Sequence, residues 1–132
     1  MTQKPSTCVY LGAKLASYGF GNNHPFGPQR HQAFENALRT QKLDQQVAIL
    51  PPVSIDRDVI ELFHQKDYVD KVIEQSGSGQ GFLDHGDTPA FKGVFESASY
   101  AAGSVIAAVN HLLHGDYEDA FVRIAVFNHA RR

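Results

Sequence analysis

Apolar residues fall along this chain in a pattern that changes period several times. Cys8-Val9-Tyr10-Leu11 and Val47-Ala48-Ile49-Leu50 are short continuous apolar runs of strand length, the second closed by Pro51-Pro52, which cannot continue a ladder. Between them Pro28 suits a first helical turn, and Ala33, Phe34, Ala37 and Leu38 recur at three-to-four spacing, with Arg30, Gln32, Glu35 and Arg39 on other faces. A strand, an amphipathic helix and a strand within about 45 residues form a βαβ unit, which requires parallel pairing and a right-handed crossover. After Pro52, Ser54 can cap a short helix carrying Val59, Ile60 and Phe63, and Tyr68, Val69, Val72 and Ile73 mark a second helix. Thr88-Pro89 supplies a capping residue and a first-turn proline for the longest helix, which runs to about His114 and stops at Gly115. Its bulky stripes, Val94, Ala98, Val105, Val109 and Leu112 beside Phe95, Ala102, Ile106 and Leu113, are interleaved with many Ala, Ser and Gly, which predicts a helix covered on more than one side. Ala120 to Phe127 is apolar on both alternating faces except at Arg123, as in an interior strand of a parallel sheet.

The composition adds boundaries to this picture. The chain has 132 residues, enough for one domain with its own core, and is 42% hydrophobic and 20% charged, in the range of ordinary globular proteins. A net charge of −2 leaves no basic stripe for a phosphate backbone, so direct nucleic-acid binding is not expected. The single Cys8 has no partner for an internal disulfide and sits in an apolar run, where it reads as a small buried hydrophobe. No segment approaches the roughly 20 apolar residues of a membrane span, and the first residues show no signal-peptide run, so a cytoplasmic location without membrane contact is the expectation.

Several features that invite a chemical reading have a plainer one. His111 and His114 can share a helix face, but they fall in the last turn, where histidine complements the helix dipole, and two ligands do not make a zinc site. Ser76-Gly77-Ser78-Gly79-Gln80-Gly81 follows a helix instead of leaving a strand, so it reads as a flexible surface loop and not as a phosphate cradle. Asp84-His85-Gly86-Asp87 gathers two carboxylates and an imidazole, but neighbours in an extended chain point to opposite sides, which makes it a polar turn.

Three segments taken together change that last reading. Tyr18-Gly19-Phe20-Gly21-Asn22-Asn23-His24-Pro25-Phe26-Gly27-Pro28-Gln29-Arg30, then Phe63-His64-Gln65-Lys66-Asp67-Tyr68-Val69, then Gly86-Asp87-Thr88-Pro89-Ala90-Phe91-Lys92-Gly93-Val94-Phe95-Glu96 resemble, in order and approximate distance, the histone deacetylase and acetoin-utilisation family of zinc-dependent amide hydrolases. The resemblance implies that Asp87 occupies the place of a rim aspartate accepting hydrogen bonds from the substrate backbone, which is compatible with a helix-capping role before Thr88. It implies that Arg30 corresponds to an arginine lining the inner channel behind the metal, where a structural ion pair is the plainer use of the side chain. At the end of the third strand the family carries a glycine-containing turn and two consecutive histidines that hydrogen-bond the zinc-bound water. Here Ala125-Val126-Phe127-Asn128-His129-Ala130 keeps the second as His129 and has Asn128 in place of the first. An amide can position a water but cannot take its proton at neutral pH. The family's zinc ligands, an Asp, a His and a second Asp, and the tyrosine that stabilises the oxyanion lie in later loops that match nothing in these 132 residues.

The expectation is therefore a single α/β domain over residues 1–132, a truncated deacetylase-like unit. It should be a three-layer α/β/α structure with a short parallel sheet in order 2-1-3, similar to the N-terminal part of the arginase and deacetylase fold. A catalytic zinc needs about three protein ligands, so the reading assigns no metal to this chain, although the family uses zinc, and expects no deacetylase activity from it alone. An unpaired apolar strand edge is a template for association. The edge around Phe121 to Phe127 thus predicts a homo-oligomer, and the alternative is an active site completed by another polypeptide.

Overall fold

The computed structural model describes residues 4–19, 27–86 and 88–123. The chain order is β1 (Thr7–Tyr10), α1 (Ala13–Ala16), α2 (Pro28–Thr40), a 3₁₀ turn (Leu43–Gln45), β2 (Ala48–Leu50), α3 (Arg57–Ile60), α4 (Lys66–Ser78), α5 (Val94–Leu113) and β3 (Asp119–Val122). The three strands form one parallel sheet in the order β2-β1-β3, the order expected from the resemblance. Cys8 lies opposite Ala48 on one side and Ala120 on the other, and Val9 lies opposite Ile49 and Phe121.

β1 is the central strand and is covered on both faces: Cys8, Val9, Tyr10 and the following Leu11 are all buried, whereas no residue of β2 or β3 is. Alternation sends Cys8 and Tyr10 to one side, where they pack with Leu15, Ala101 and Ala108. Val9 and Leu11 point to the other, where they meet Leu38 and Phe34 of α2. Helices α2 and α5 thus cover opposite faces, and the architecture has three layers.

The buried row of α2 differs from the predicted stripe. His31, Phe34 and Leu38 face the sheet, whereas Ala33 and Ala37 are exposed. The larger side chains at i, i+3 and i+7 win because they reach the sheet across the interlayer gap and alanine does not.

The longest helix also departs from expectation at its start. It begins at Val94 behind Gly93, whose φ of 87° is left-handed, and not at Thr88-Pro89. Thr88 is instead drawn into the loop before it, where its hydroxyl donates to Asp84 at 2.8 Å. The buried side of α5 consists of Ser97, Ser99, Ala101, Gly103, Ser104 and Ala108 together with Val94. The bulky residues Val105, Ile106, Val109, Leu112 and Leu113 are exposed, Leu113 at 77%. The small residues allow contact with the chain leaving β2: Ser104 Oγ accepts from Val53 N–H at 3.0 Å, and Gly103 lies directly against the Val53 carbonyl.

Other boundaries shift for local reasons. α3 starts after Asp56, not Ser54. The glycine-rich stretch is only partly a loop, since Ser76 to Ser78 complete α4 and Gly79, at φ 71°, forms its left-handed end and donates to Gln75 O at 2.7 Å. Gln75 then ties the following turn through its amide to Gln80 O and Phe82 O. The one-turn helix α1 was not foreseen because four residues are too few to show a period. β3 is described over Asp119–Val122, and the rest of the predicted third strand, through Phe127, lies outside the described residues apart from Arg123. His111 pairs with Asp116 at 2.9 Å and His114 with Asn110 O at 2.7 Å, in keeping with a helix-end role.

Two glycines separate packing from propensity. Gly103→Ala should lose about 1–3 kcal/mol through overlap with the Val53 carbonyl. Gly77→Ala, in α4 with nothing near its missing Cβ, should gain about 0.5–1 kcal/mol through helix propensity alone. Urea unfolding of both variants checks the contrast.

Candidate functional site

In an open parallel sheet the loops at the carboxyl ends of the strands converge, and there the motif segments gather. After β1 the chain turns through Gly12, packed on Pro52, into α1. Ser17 Oγ then shares a hydrogen bond with Ser97 Oγ of α5 at 2.8 Å. Tyr18, 4% exposed, sets its ring edge-on to Phe91 at 5.5 Å. Burial, followed by the nearby Tyr68, pushes the Tyr18 phenol up to about 12, so it stays neutral at physiological pH.

The second segment forms the link from α3 to α4. The His64 ring meets Phe63 edge-on at 4.8 Å and Tyr68 at 5.4 Å. Arg57 joins the two helices by ion pairs to Glu61 and Asp70, and Lys66 adds a third contact to Asp70. Its hydrogen bond to Arg57, then that to Lys66, holds the Asp70 carboxyl below its ordinary pKa.

The third segment is held by a carboxylate. Asp84 accepts from Gly86 N–H at 3.1 Å, Thr88 N–H at 2.9 Å and the Thr88 hydroxyl at 2.8 Å. Backbone bonds from Leu83 N–H to Thr88 O and from Ala90 N–H to Gly81 O close the same loop. Ser76 fixes its far end, accepting from Phe95 N–H at 3.1 Å and donating to Glu96 at 3.0 Å.

These three segments line one cavity of about 540 Å³ between α3, α4 and α5. Tyr18 comes from the first, Phe63, His64 and Tyr68 from the second, and Thr88, Val94 and Phe95 from the third. Its walls are mostly apolar, with the Tyr18, His64, Asp84 and Thr88 side chains among the polar groups. Arg30 is not part of it. That residue lies in the first turn of α2, on the opposite side of the sheet, within electrostatic range of Arg123. Strand alternation puts Arg123 on the same face as Phe121, and its guanidinium sits 5.9 Å from the Phe34 ring, which is itself stacked on Phe121 at 5.2 Å. Burial first, then Arg30, lowers the Arg123 pKa from its ordinary value.

Of the residues singled out from sequence, Asp87, Asn128 and His129 lie outside the described residues, and Arg30 is placed as above. The sequence reading missed Asp84 as the clasp of its loop. The available signal was a carboxylate two and four residues before backbone amides in a Gly-containing turn, the Asx pattern. It also missed the buried His31, although the spacing His31, Phe34, Leu38 could have flagged it. Among the described residues no three of His, Cys, Asp or Glu come together in a group able to hold a metal ion, so the zinc that the resemblance implies finds no ligand set among them. Among them, too, no helix is long and apolar enough to cross a membrane.

Asp84→Ala removes all three acceptor contacts at once and should cost about 1–3 kcal/mol. Hydrogen exchange at the Thr88 amide, read by NMR, should accelerate about tenfold or more in that variant, an effect of about 1.4 kcal/mol locally, while the β1 amides change only with the global stability.

Comparison with known proteins follows the same outline. The model of the histone deacetylase domain matches residues 24–132. The chain is 27% identical over 107 residues to the acetoin utilization protein AcuC of Bacillus subtilis (strain 168), covering 75% of this chain and 27% of that protein. It is 31% identical over 122 residues to histone deacetylase 1 of Oryza sativa subsp. japonica, covering 85% of this chain and 23% of that protein. Among solved structures the HDA15 HD domain superposes with a TM-score of 0.78 at 20% identity, over 95% of this chain and 36% of that one, which shows a common fold. The chain spans about a quarter of the length of the curated relatives it matches. With the parallel 2-1-3 sheet, the convergence of three motif segments and a domain match from His24 onward, the chain belongs to the histone deacetylase family.

Proposed function

We propose that this chain is a cytoplasmic, deacetylase-like interaction module that does not hydrolyse acyl amides by itself. The observation that carries the reading is Asn128, which stands where the family's first paired histidine is expected. General-base catalysis needs a group whose basic form can accept a proton near neutral pH, and a carboxamide has none. His129 and Asn128 are then a vestigial water-positioning pair, Asp87 with His129 marks the remnant of a groove for an acylated ligand, and Arg30 keeps the place of the family's inner-channel arginine.

The module's interaction surface is the outer edge of β3, paired with a second copy of the chain. β3 bonds to β1 on one side, and Phe121 within it is 46% exposed. Parallel strands expose their backbone groups at such an edge and associate readily.

A second reading is favoured by a separate observation, the exposed apolar row of α5 bordering the cavity. Here another polypeptide supplies the zinc ligands and the oxyanion-stabilising tyrosine, and this chain contributes Asp87 and Arg30 to a composite site.

Purified protein incubated with zinc should retain no stoichiometric metal by elemental analysis and should release no acetate from an acetyl-lysine peptide. Zinc at one equivalent together with turnover by the chain alone overturns the first reading, and turnover only after mixing with a second polypeptide favours the composite site. Light scattering at high micromolar concentration should give twice the monomer mass or more, and introducing a charge by Phe121→Lys should shift the protein towards monomer. A monodisperse wild-type monomer counts against the pairing of edges.

A further inference from the structure

His31 occupies the inner row of α2, between the helix's first turn and Phe34, and is 5% exposed. Among the described residues neither of its ring nitrogens has a hydrogen-bond partner. A neutral imidazole in that position already forgoes its hydrogen bonds to water. A protonated one brings a full charge and two N–H donors into a layer that receives neither.

The groups around it do not provide a counterion strong enough to reverse this. β1 offers this layer only Val9 and Leu11, and Val47 closes it beside β2. Lys14 of α1 reaches towards Tyr100 on the α5 side. β3 brings the positive Arg123 near His31, and α2 itself contributes Glu35 one turn on. Glu35 favours a proton on the ring, but its carboxylate is engaged by Arg39 at 3.0 Å and is 28% exposed, which screens it. Burial is the largest influence, Arg123 acts with it, and together they lower the His31 pKa below its ordinary value.

We propose that His31 is an acid-sensitive latch between α2 and the sheet: neutral, it fills the apolar layer beside Phe34, and protonated, it forces α2 away from β1 and β3, taking Arg30 with it. In the opposite layer α5 meets β1 through Ala101, Ala108, Cys8 and Tyr10, and the imidazole near Tyr10, His111, is partly exposed and paired with Asp116 at 2.9 Å, so it can take a proton there. Acid therefore loosens one face of the sheet first. The unfolded chain takes up this proton near pH 6.5, the folded chain only at lower pH. The contribution of the neutral ring is full above about 6.5 and is lost as pH falls through the lower folded value. As long as the buried ring resists the proton, the folded-to-unfolded ratio falls by about tenfold for each pH unit below 6.5.

The test is urea unfolding of the full chain at pH 7.5, 6.0 and 5.0, for wild type and His31→Leu. The wild type should lose up to about tenfold in the folded fraction ratio per pH unit below 6.5 relative to the variant, and equal losses in the two proteins overturn the proposal. If the variant does not fold, NMR titration of the His31 ring in the wild type decides. A midpoint below 6.5 that coincides with lost protection of the α2 amides supports the latch. A midpoint at or above 6.5, or one passed with α2 still protected, overturns it.

Discussion

The close approach of α5 to the sheet constrains most of the structure. Ala101 and Ala108 let the helix settle on Cys8 and Tyr10, and Gly103 and Ser104 let the chain leaving β2 pass directly over the helix backbone. A helix whose inner side carries no bulk must place its bulk elsewhere. Val105, Ile106, Val109, Leu112 and Leu113 consequently face outward, and the first two help to line the cavity against α3 and α4. Fully burying a side chain of this size contributes about 1.5–3 kcal/mol, so this row leaves substantial hydrophobic free energy unrealised in the single chain. Surfaces of that kind mark contact sites more often than ordinary solvent-facing helix.

The other face of the sheet is built on the opposite principle. There bulky groups interdigitate: Phe34 stacks on Phe121, Arg123 lies over the same ring, and Leu38 covers Val9 and Leu11. The two layers thus respond differently to perturbation. The α5 layer is sensitive to added volume, because its backbone contacts leave no slack. The α2 layer instead holds a buried imidazole, without hydrogen-bond partners among the described residues, within electrostatic range of a guanidinium, which is where added charge would tell.

The sheet was legible in the sequence because each strand is a continuous apolar run bounded by residues that break pairing, as at Pro51-Pro52, and because βαβ connections admit a single hand. Helix boundaries were less legible where local signals compete. Thr88-Pro89 is a sound start signal, but Asp84 claims the Thr88 hydroxyl, and the left-handed Gly93 sets the start five residues later. The orientation of α5 was hidden for a physical reason: hydrophobic periodicity assigns the bulky stripe to the core, whereas close backbone packing assigns the small one. At the site, the convergence of the three segments could be inferred only through resemblance. Nothing in the spacing of Tyr18, His64 and Thr88 along the chain predicts a shared cavity. The roles of Asp87, Asn128 and His129 were read from motif matches, and those residues lie outside the described part of the structure.

The segments that carry the family resemblance also hold this domain together. Tyr18 packs on Phe91, Thr88 closes the loop clasped by Asp84, and Val94, completely buried, anchors the start of α5. A sequence selected only to keep this fold would need many of the same residues. The family match therefore speaks strongly for the frame, and weakly for the chemistry, of which the family's paired histidines are the test. The sequence resemblance sets Asn128 and His129 at that position, one side chain unable to exchange a proton near neutral pH and one able to. Fold and chemistry are separable in this way because a shared frame does not by itself carry a shared reaction, which depends on the particular groups at the site.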